Sequence, residues 1–436
     1  LEKLIDEGEK ELDYLNNMIY LISDADIKTI KAIKQELVAE GILRSHNIKN
    51  IKKEKMKRME NLIKNYKIIQ VIYIFFGSLF FKFIGLFIKQ KKNLILFSSF
   101  GGKNFNDSPK LLFEEIKRRY GEKYECVWAF VEPDKFKIDG VKSIQINSLK
   151  YFITALKARY WITNVNIERG LHFQKKNCVY LNTWHGISLD YIGNDRPRRK
   201  DYNFKKIKYM CVSGDFDKII YKTAFNCRDN QFLECGMPRN DYLVKGKFEI
   251  EKLKKELDLP FDKKIILYAP TWRENYADKT VDTFESPIHL KLWKEKLGRD
   301  YIFLFRAHSI TKNIMNLETD DFCYDVSSYP DTNKLLSIVD ILITDYSSIA
   351  LDFAILDRPI FNFGYDYDEY KQRHGFYVDY EKEMPNGVIR DENQLIGKIN
   401  NIDFNIEKVK LNYLKKKYLN FTTGNSIATC VEKIFN

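Results

Sequence analysis

No Cys-x-x-Cys pair occurs in the 436 residues, and the seven cysteines (126, 178, 211, 227, 235, 323 and 430) fall at no metal-ligand spacing. Most sit within or beside apolar runs, so they read as small core residues of a reducing compartment and not as a disulfide framework. Also missing are H-E-x-x-H, G-x-S-x-G and G-x-x-x-x-G-K-[ST], which removes the usual signatures of zinc peptidases, nucleophile-elbow hydrolases and P-loop NTPases. No signal peptide is recognisable. The chain begins at Leu1, which leaves open a trimmed start with a segment before it. Acidic residues are scarce in one stretch: between Lys49 and Lys92, twelve Lys or Arg face only Glu54 and Glu60, so this segment holds ten of the net twelve positive charges. With the remainder nearly neutral, a nucleic-acid groove spread over the fold is excluded, and one localised anionic partner is expected.

What is present is enough chain for two or three domains, with the apolar and charged fractions of a folded globular protein. Residues 1–60 read as a charged helical hairpin, for which a coiled interaction arm, a homo-oligomer contact and a simple buttress are all open. Residues 61–92 form a separate segment. From Ile68 to Ile88 the single charge is Lys82, long enough for a membrane span. At about 100° per residue, however, Lys64, Lys67, Ser78, Lys82, Gly85 and Lys89 share one narrow sector, while Phe75, Phe76, Phe80 and Phe81 belong to the apolar remainder. That pattern suits a helix lying in an anionic membrane face, ahead of a core or dimer helix or a true span.

From Asn93 onward short β-prone runs alternate with helical patterns, which implies α/β architecture with parallel sheets. Expected strands are 93–100, 124–131, 143–146, 160–164, 178–183, 210–213 and 232–236. A lysine-rich interval over 243–264 resets the pattern, and strands are expected again at 265–269, 302–306, 322–326, 341–344 and 360–363. Two Rossmann-like domains, 93–248 and 249–436, facing across a cleft are the expected organisation.

Chemistry-bearing residues gather at the ends of these strands. Asp340–Asp352 reads as strand, polar turn and helix start, with Ser347 and Ser348 where unpaired helix N–H groups lie; the stretch is either an anion seat or an ordinary N-cap. Trp184-His185-Gly186 follows an apolar strand, and His185 has the side chain suited to proton exchange at neutral pH, or to a hydrogen-bonded interface role. Thr271 and Arg273 in Y-A-P-T-W-R-E, and Arg306 and His308 in L-F-R-A-H-S, offer hydroxyl, guanidinium and imidazole groups for a phosphorylated ligand. Arg239 and Asp241 close the first half after a Gly-Met-Pro turn; Asp241 reads as structural, and Arg239 as either a cleft or a hinge residue. Asp366-Tyr367-Asp368 imitates a D-x-D metal site but lies in a tyrosine-rich acidic loop and is set aside. No metal site is expected.

Taken in order, T-W-H-G with a following G-x-D, G-x-P-R-N-D, A-P-T-W-R-E, R-x-H and I-T-D-Y-S-S-x-x-x-D-F-A resemble the CDP-glycerol glycerophosphotransferase family of teichoic-acid synthesis, over about residues 93–436. The resemblance implies a GT-B fold with peripheral attachment to the cytoplasmic face of the bacterial membrane. It also implies transfer of glycerol or ribitol phosphate from a CDP donor, the co-substrate, to a lipid-linked acceptor of wall polymer or capsule, without a cofactor. It makes His185 a general base and gives His308 the charge at the donor phosphate or leaving group. Thr271, Arg273, Arg306, Asp345, Ser347, Ser348 and Asp352 become donor-side residues, and Trp184, Gly186, Asp195 and Arg239 acceptor-side candidates. Leu189-Asp190-Tyr191 stand where relatives often carry lysines, with Arg196, Arg198 and Arg199 further on. A GT-B glycosyltransferase and a non-catalytic membrane adaptor are the competing readings.

Overall fold

The computed structural model describes residues 67–196, 202–271, 287–306 and 319–436. The proposed arm at 1–60, and with it Lys64, lies outside them. Of the two compact units, 1–73 and 74–436, the first is described only in the opening turns of the helix Lys67–Phe87. The second holds both sheets.

Seven parallel strands make the first sheet: β1 (Lys91–Ser98), β2 (Glu125–Phe130), β3 (Lys142–Gln145), β4 (Ala158–Thr163), β5 (Val179–Asn182), β6 (Tyr209–Val212) and β7 (Phe232–Glu234). The second sheet contains β8 (Lys264–Ala269), β9 (Tyr301–Phe305), β10 (Cys323–Asp325), β11 (Ile341–Thr344), β12 (Ile360–Phe363) and β13 (Val388–Ile389). Strand order is β3-β2-β1-β4-β5-β6-β7 in one and β10-β9-β8-β11-β12-β13 in the other. The α/β class is as expected, and every expected strand forms. Their continuous apolar runs fit strands covered on both faces by helices, and β9 and β11 are buried along their whole length. Among the strands of the described residues, β13, a two-residue strand directly after Pro385-Asn386-Gly387, is the one without a sequence signal.

Both sheets reverse direction of winding at one place, between β1 and β4 and between β8 and β11. At such switch points the loops leaving the strand carboxyl ends part and leave a crevice. The chemistry expected from sequence therefore falls at these two crevices, after β4–β5 in one sheet and after β8 and β11 in the other.

The span 249–436 does not coincide with the second sheet's own body. The last helix, Ser426–Phe435, returns to the first sheet, where Cys430, Val431 and Ile434 join a core with Leu112, Phe113 and Ile116. Asp241 is structural, as read from sequence: its carboxylate accepts the N–H groups of Ser426 and Ile427, both at 2.9 Å, and starts that helix. All seven cysteines are free and buried. Cys211 and Cys235 meet Cys430 at 3.4 and 4.0 Å, a convergence that linear spacing conceals.

The helix Lys67–Phe87 docks, from Ile74 on, through its small and polar sector. The Ser78 hydroxyl accepts the His172 N–H at 2.9 Å, and Gly77 and Gly85 let Leu171 and Leu156 approach. Phe81 needs correcting as a membrane residue: it is buried, stacks on Phe152 with ring centres 4.4 Å apart, and anchors the helix to the domain. Phe75, Phe76, Leu79, Phe80, Phe83, Leu86 and Phe87 are exposed.

Candidate active site

Phe100, Asp107, His185, Arg239, Arg306, Ser347, Ser348 and Asp352 come together around a cavity of about 350 Å³. Phe100, Asp107 and His185 follow β1 and β5, and Arg306, Ser347, Ser348 and Asp352 follow β9 and β11, strands at or near the switch points; Arg239 comes from the turn after β7, at the edge of the first sheet.

His185 is held by one bond that decides its chemistry. Its Nδ1 lies 2.6 Å from the carbonyl oxygen of Asn164, at the end of β4. A carbonyl only accepts, so Nδ1 carries the proton and the lone pair is on Nε2. Burial lowers the imidazole pKa below its ordinary value, opposed by the Asn164 carbonyl and by Asp107. The ring is therefore neutral at pH 7 and able to take a proton.

Arg239 ties three elements together. Its guanidinium donates to Asp107 at 2.9 Å, to Asp352 at 2.6 Å and to the His185 carbonyl at 2.7 Å. Asn240 donates to the other Asp352 oxygen at 2.7 Å. Asp352 thus belongs to an interlobe ion-pair network, and Arg239 proves to be both a cleft and a hinge residue. Gly186, beside it, has φ +154 and no room for a Cβ, which would overlap the Ser348 hydroxyl.

The corner after β11 is not an ordinary N-cap. No side chain caps the helix Ile349–Ala354 strongly; Ser347 Oγ accepts from Ile349 N at 3.4 Å, and Ser348 makes no capping bond. Six residues carry little macrodipole, so any anion held here would rest mainly on hydroxyls and N–H groups.

Other expected site residues stand elsewhere. Asp345 is fully buried and does not line the cavity: its carboxylate accepts from Thr271 N at 2.8 Å, from the Thr271 hydroxyl and from Tyr346 N at 2.6 Å. A carboxylate would repel phosphate. Its place is behind the seat, fixing the β8 and β11 loops against each other. Arg306 reaches the cavity wall but spends its donors on Val326 O, Tyr329 O and Thr332 Oγ1, and burial lowers its pKa. Trp184 is buried against Phe225 with ring centres 4.4 Å apart, and supports His185 from behind. Asp195 accepts from Tyr377 at 2.7 Å and Thr223 at 2.8 Å, which makes it an interlobe fastening outside the cavity wall. Arg273 and His308 lie outside the described residues. Asp366 accepts from Tyr346 at 2.9 Å and Asp368 faces Arg390 at 3.8 Å, so the D-x-D pair has protein partners. Asn164 and Asp107 escaped the sequence reading, although each follows a strand at the same switch point.

Two Rossmann-like sheets with an imidazole and a hydroxyl-rich corner at paired switch points define a class of two-lobed proteins built to act on a ligand held between the lobes. The chain belongs to the CDP-glycerol:poly(glycerophosphate) glycerophosphotransferase family, whose sequence model matches residues 80–436. It is 35% identical over 346 residues to a teichoic acid poly(glycerol phosphate) polymerase of Staphylococcus epidermidis, covering 75% of this chain and 47% of that protein, so the chain spans about half of that relative's length. It is 34% identical to a teichoic acid glycerol-phosphate transferase of Staphylococcus aureus, covering 72% of this chain and 84% of that one. A structure of the wall teichoic acid polymerase TagF, a histidine-to-asparagine variant soaked with CDPG, superposes with a TM-score of 0.74 at 30% identity, over 90% of this chain and 98% of that one.

Proposed function

We propose that this protein transfers a polyol phosphate from a CDP-polyol to a hydroxyl of a lipid-linked acceptor or a growing teichoic-acid-like polymer, releasing CMP. The observation that carries this reading is His185, its Nδ1 held on the Asn164 carbonyl, in the same cavity as the weakly capped Ser347–Ser348 corner. CDP-glycerol is the first donor to test, since the relatives named for glycerol phosphate reach 35% identity and a ribitol-phosphate polymerase of Bacillus spizizenii reaches 29%.

In this scheme His185 Nε2 takes the proton of the acceptor hydroxyl. The oxygen attacks the phosphorus nearer the polyol, the bond from that phosphorus to the CMP oxygen breaks, and CMP leaves. Ser347, Ser348 and neighbouring N–H groups hold the phosphate oxygens, and Thr271 is presented by Asp345. Arg273 and His308 are assigned the phosphate charge and the leaving group on the family resemblance alone. Phosphoryl transfer needs mainly alignment and charge neutralisation, and no step of the scheme calls for a metal or another cofactor.

Incubation with a synthetic lipid-linked acceptor and either CDP-glycerol or CDP-ribitol should release CMP and lengthen the acceptor by polyol phosphate units, read by mass. Release of nucleotide from nucleotide sugars instead would replace this reading with glycosyl transfer.

Peripheral membrane attachment belongs to the same proposal. One face of the helix is docked on the domain while its aromatic face is open, and Lys82 and Lys89 are exposed beside it. A helix fastened along one side suits an interfacial position better than a span, although Ile69–Phe87 is long and apolar enough to cross a bilayer. Changing Phe75, Phe76, Phe80 and Phe83 together to Ser should release the protein from anionic vesicles in a flotation assay. Unchanged binding would remove the helix as the anchor.

A further inference from the structure

Ser347 and Ser348 wall a second cavity, of about 260 Å³, whose lining is mostly polar. Its first-lobe side is Ser188, Asp190 and Arg196; its second-lobe side includes Thr271 and His374. The two sides are stitched together. Asp190 and Phe376 form an antiparallel bridge, Tyr377 N donates to Leu189 O at 2.9 Å, and Tyr191 N donates to Gly375 O at 3.3 Å. Gly375, at φ +69, is required there, because a Cβ would come within 2.5 Å of the Tyr191 ring. His374 stacks on Tyr370 at 4.3 Å between ring centres, and Tyr370 on Tyr346 at 3.9 Å, so the imidazole is held by a column of rings. Arg196 donates through Nη2 to Asp190 at 3.0 Å and through Nε to Tyr191 O at 2.7 Å, while its Nη1 has no partner among the described residues.

We infer that this second cavity receives the polyol of the donor, and that Asp190, Arg196 and His374 set which polyol is accepted. The inference rests on the transferase reading above and adds the place of the third substituent on phosphorus. In-line displacement puts the attacking and leaving oxygens on opposite sides of the phosphorus, so the polyol oxygen, which stays bonded to it, points sideways. The base lines the larger cavity, and the space sharing the same two serines is the smaller one. Its chemistry agrees. A carboxylate, a guanidinium edge, an imidazole and the hydroxyls of Ser188, Thr271, Ser347 and Ser348 match a run of alcohol groups, each of which donates and accepts. Walls stitched across the lobes make the cavity's length fixed, and fixed length is what separates a three-carbon from a five-carbon polyol.

The test is calorimetric binding of CDP, CDP-glycerol and CDP-ribitol to the full chain and to its Asp190→Asn and His374→Ala forms, with steady-state transfer alongside. The wild type should bind its own CDP-polyol more tightly than CDP. Each variant should lose about tenfold of that preference, the worth of one hydrogen bond to a charged group, with CDP affinity held within about twofold. KM for the donor should rise while KM for the acceptor stays put. Asp190→Glu and His374→Gln should restore part of the preference, and either residue's series suffices if the other's variant fails to fold. Variants that shift acceptor KM alone, weaken CDP equally or change neither polyol's binding would overturn the subsite and leave the transferase standing. A wild type that releases no CMP from either donor overturns the transferase reading, and the subsite with it.

Discussion

Replacing His185 by Ala is expected to cut CMP release by about 10²–10⁴-fold, the usual contribution of a positioned general base. Affinity for CDP should hardly move, because the ring touches Asn164 O and neighbouring aromatics while the serine corner lies on the other lobe. The acid side of the pH–rate profile makes the assignment specific. The reacting form is the neutral imidazole, so the rate should fall as pH drops through its pKa. Burial lowers that pKa, which places the acidic limb below the ordinary histidine value of about 6.5 and leaves the rate flat around neutrality. In His185→Ala the residual rate should lose this limb. A variant with near-normal turnover, or one keeping the same acidic limb, would remove His185 from the chemistry; a wild type that binds vesicles but turns over no donor would favour an adaptor.

Legibility followed the length of the apolar signal. Continuous runs such as Leu94–Phe97 and Ile341–Thr344 announced buried parallel strands, and the polar residues straight after them marked the cleft. Pairing was less readable. Asp345, Thr271 and Ser347 all looked like phosphate ligands because each follows a strand, yet a carboxylate between two loops acts by holding a threonine. Phe81 belonged to an aromatic run with no sequence mark to say which ring faces the domain. Its burial is set by Phe152 and Phe173, roughly seventy and ninety residues further on. Asp107 and Asn164 were invisible for the same reason: their partners, Arg239 and His185, become neighbours only when the sheet orders its strands.

Arg239→Met should be among the most destabilising single changes in this chain. The guanidinium sits between Asp107 and Asp352, whose side chains are 8% and 6% exposed, and removing it leaves two carboxylates facing each other away from water. Loss of one partner from a buried ionic group costs about 3–5 kcal/mol, more than a cavity of similar size would, because the remaining charges keep their desolvation penalty. The sign of the pH dependence separates this cause from lost packing. Unpaired buried acids bind protons more tightly in the folded than in the unfolded state, so the defect should be largest at neutral pH and shrink as pH falls into the mildly acid range. Asp107→Asn combined with Asp352→Asn in the Arg239→Met background should recover much of the loss, since three uncharged groups no longer conflict. Urea unfolding at two pH values measures both effects. Equal destabilisation at each pH, or no recovery in the triple variant, would mean that Arg239 acts by filling space and not by charge. Even the recovered variant should transfer poorly, for the His185 carbonyl will have lost its donor and the loop bearing the imidazole its tie to the second lobe.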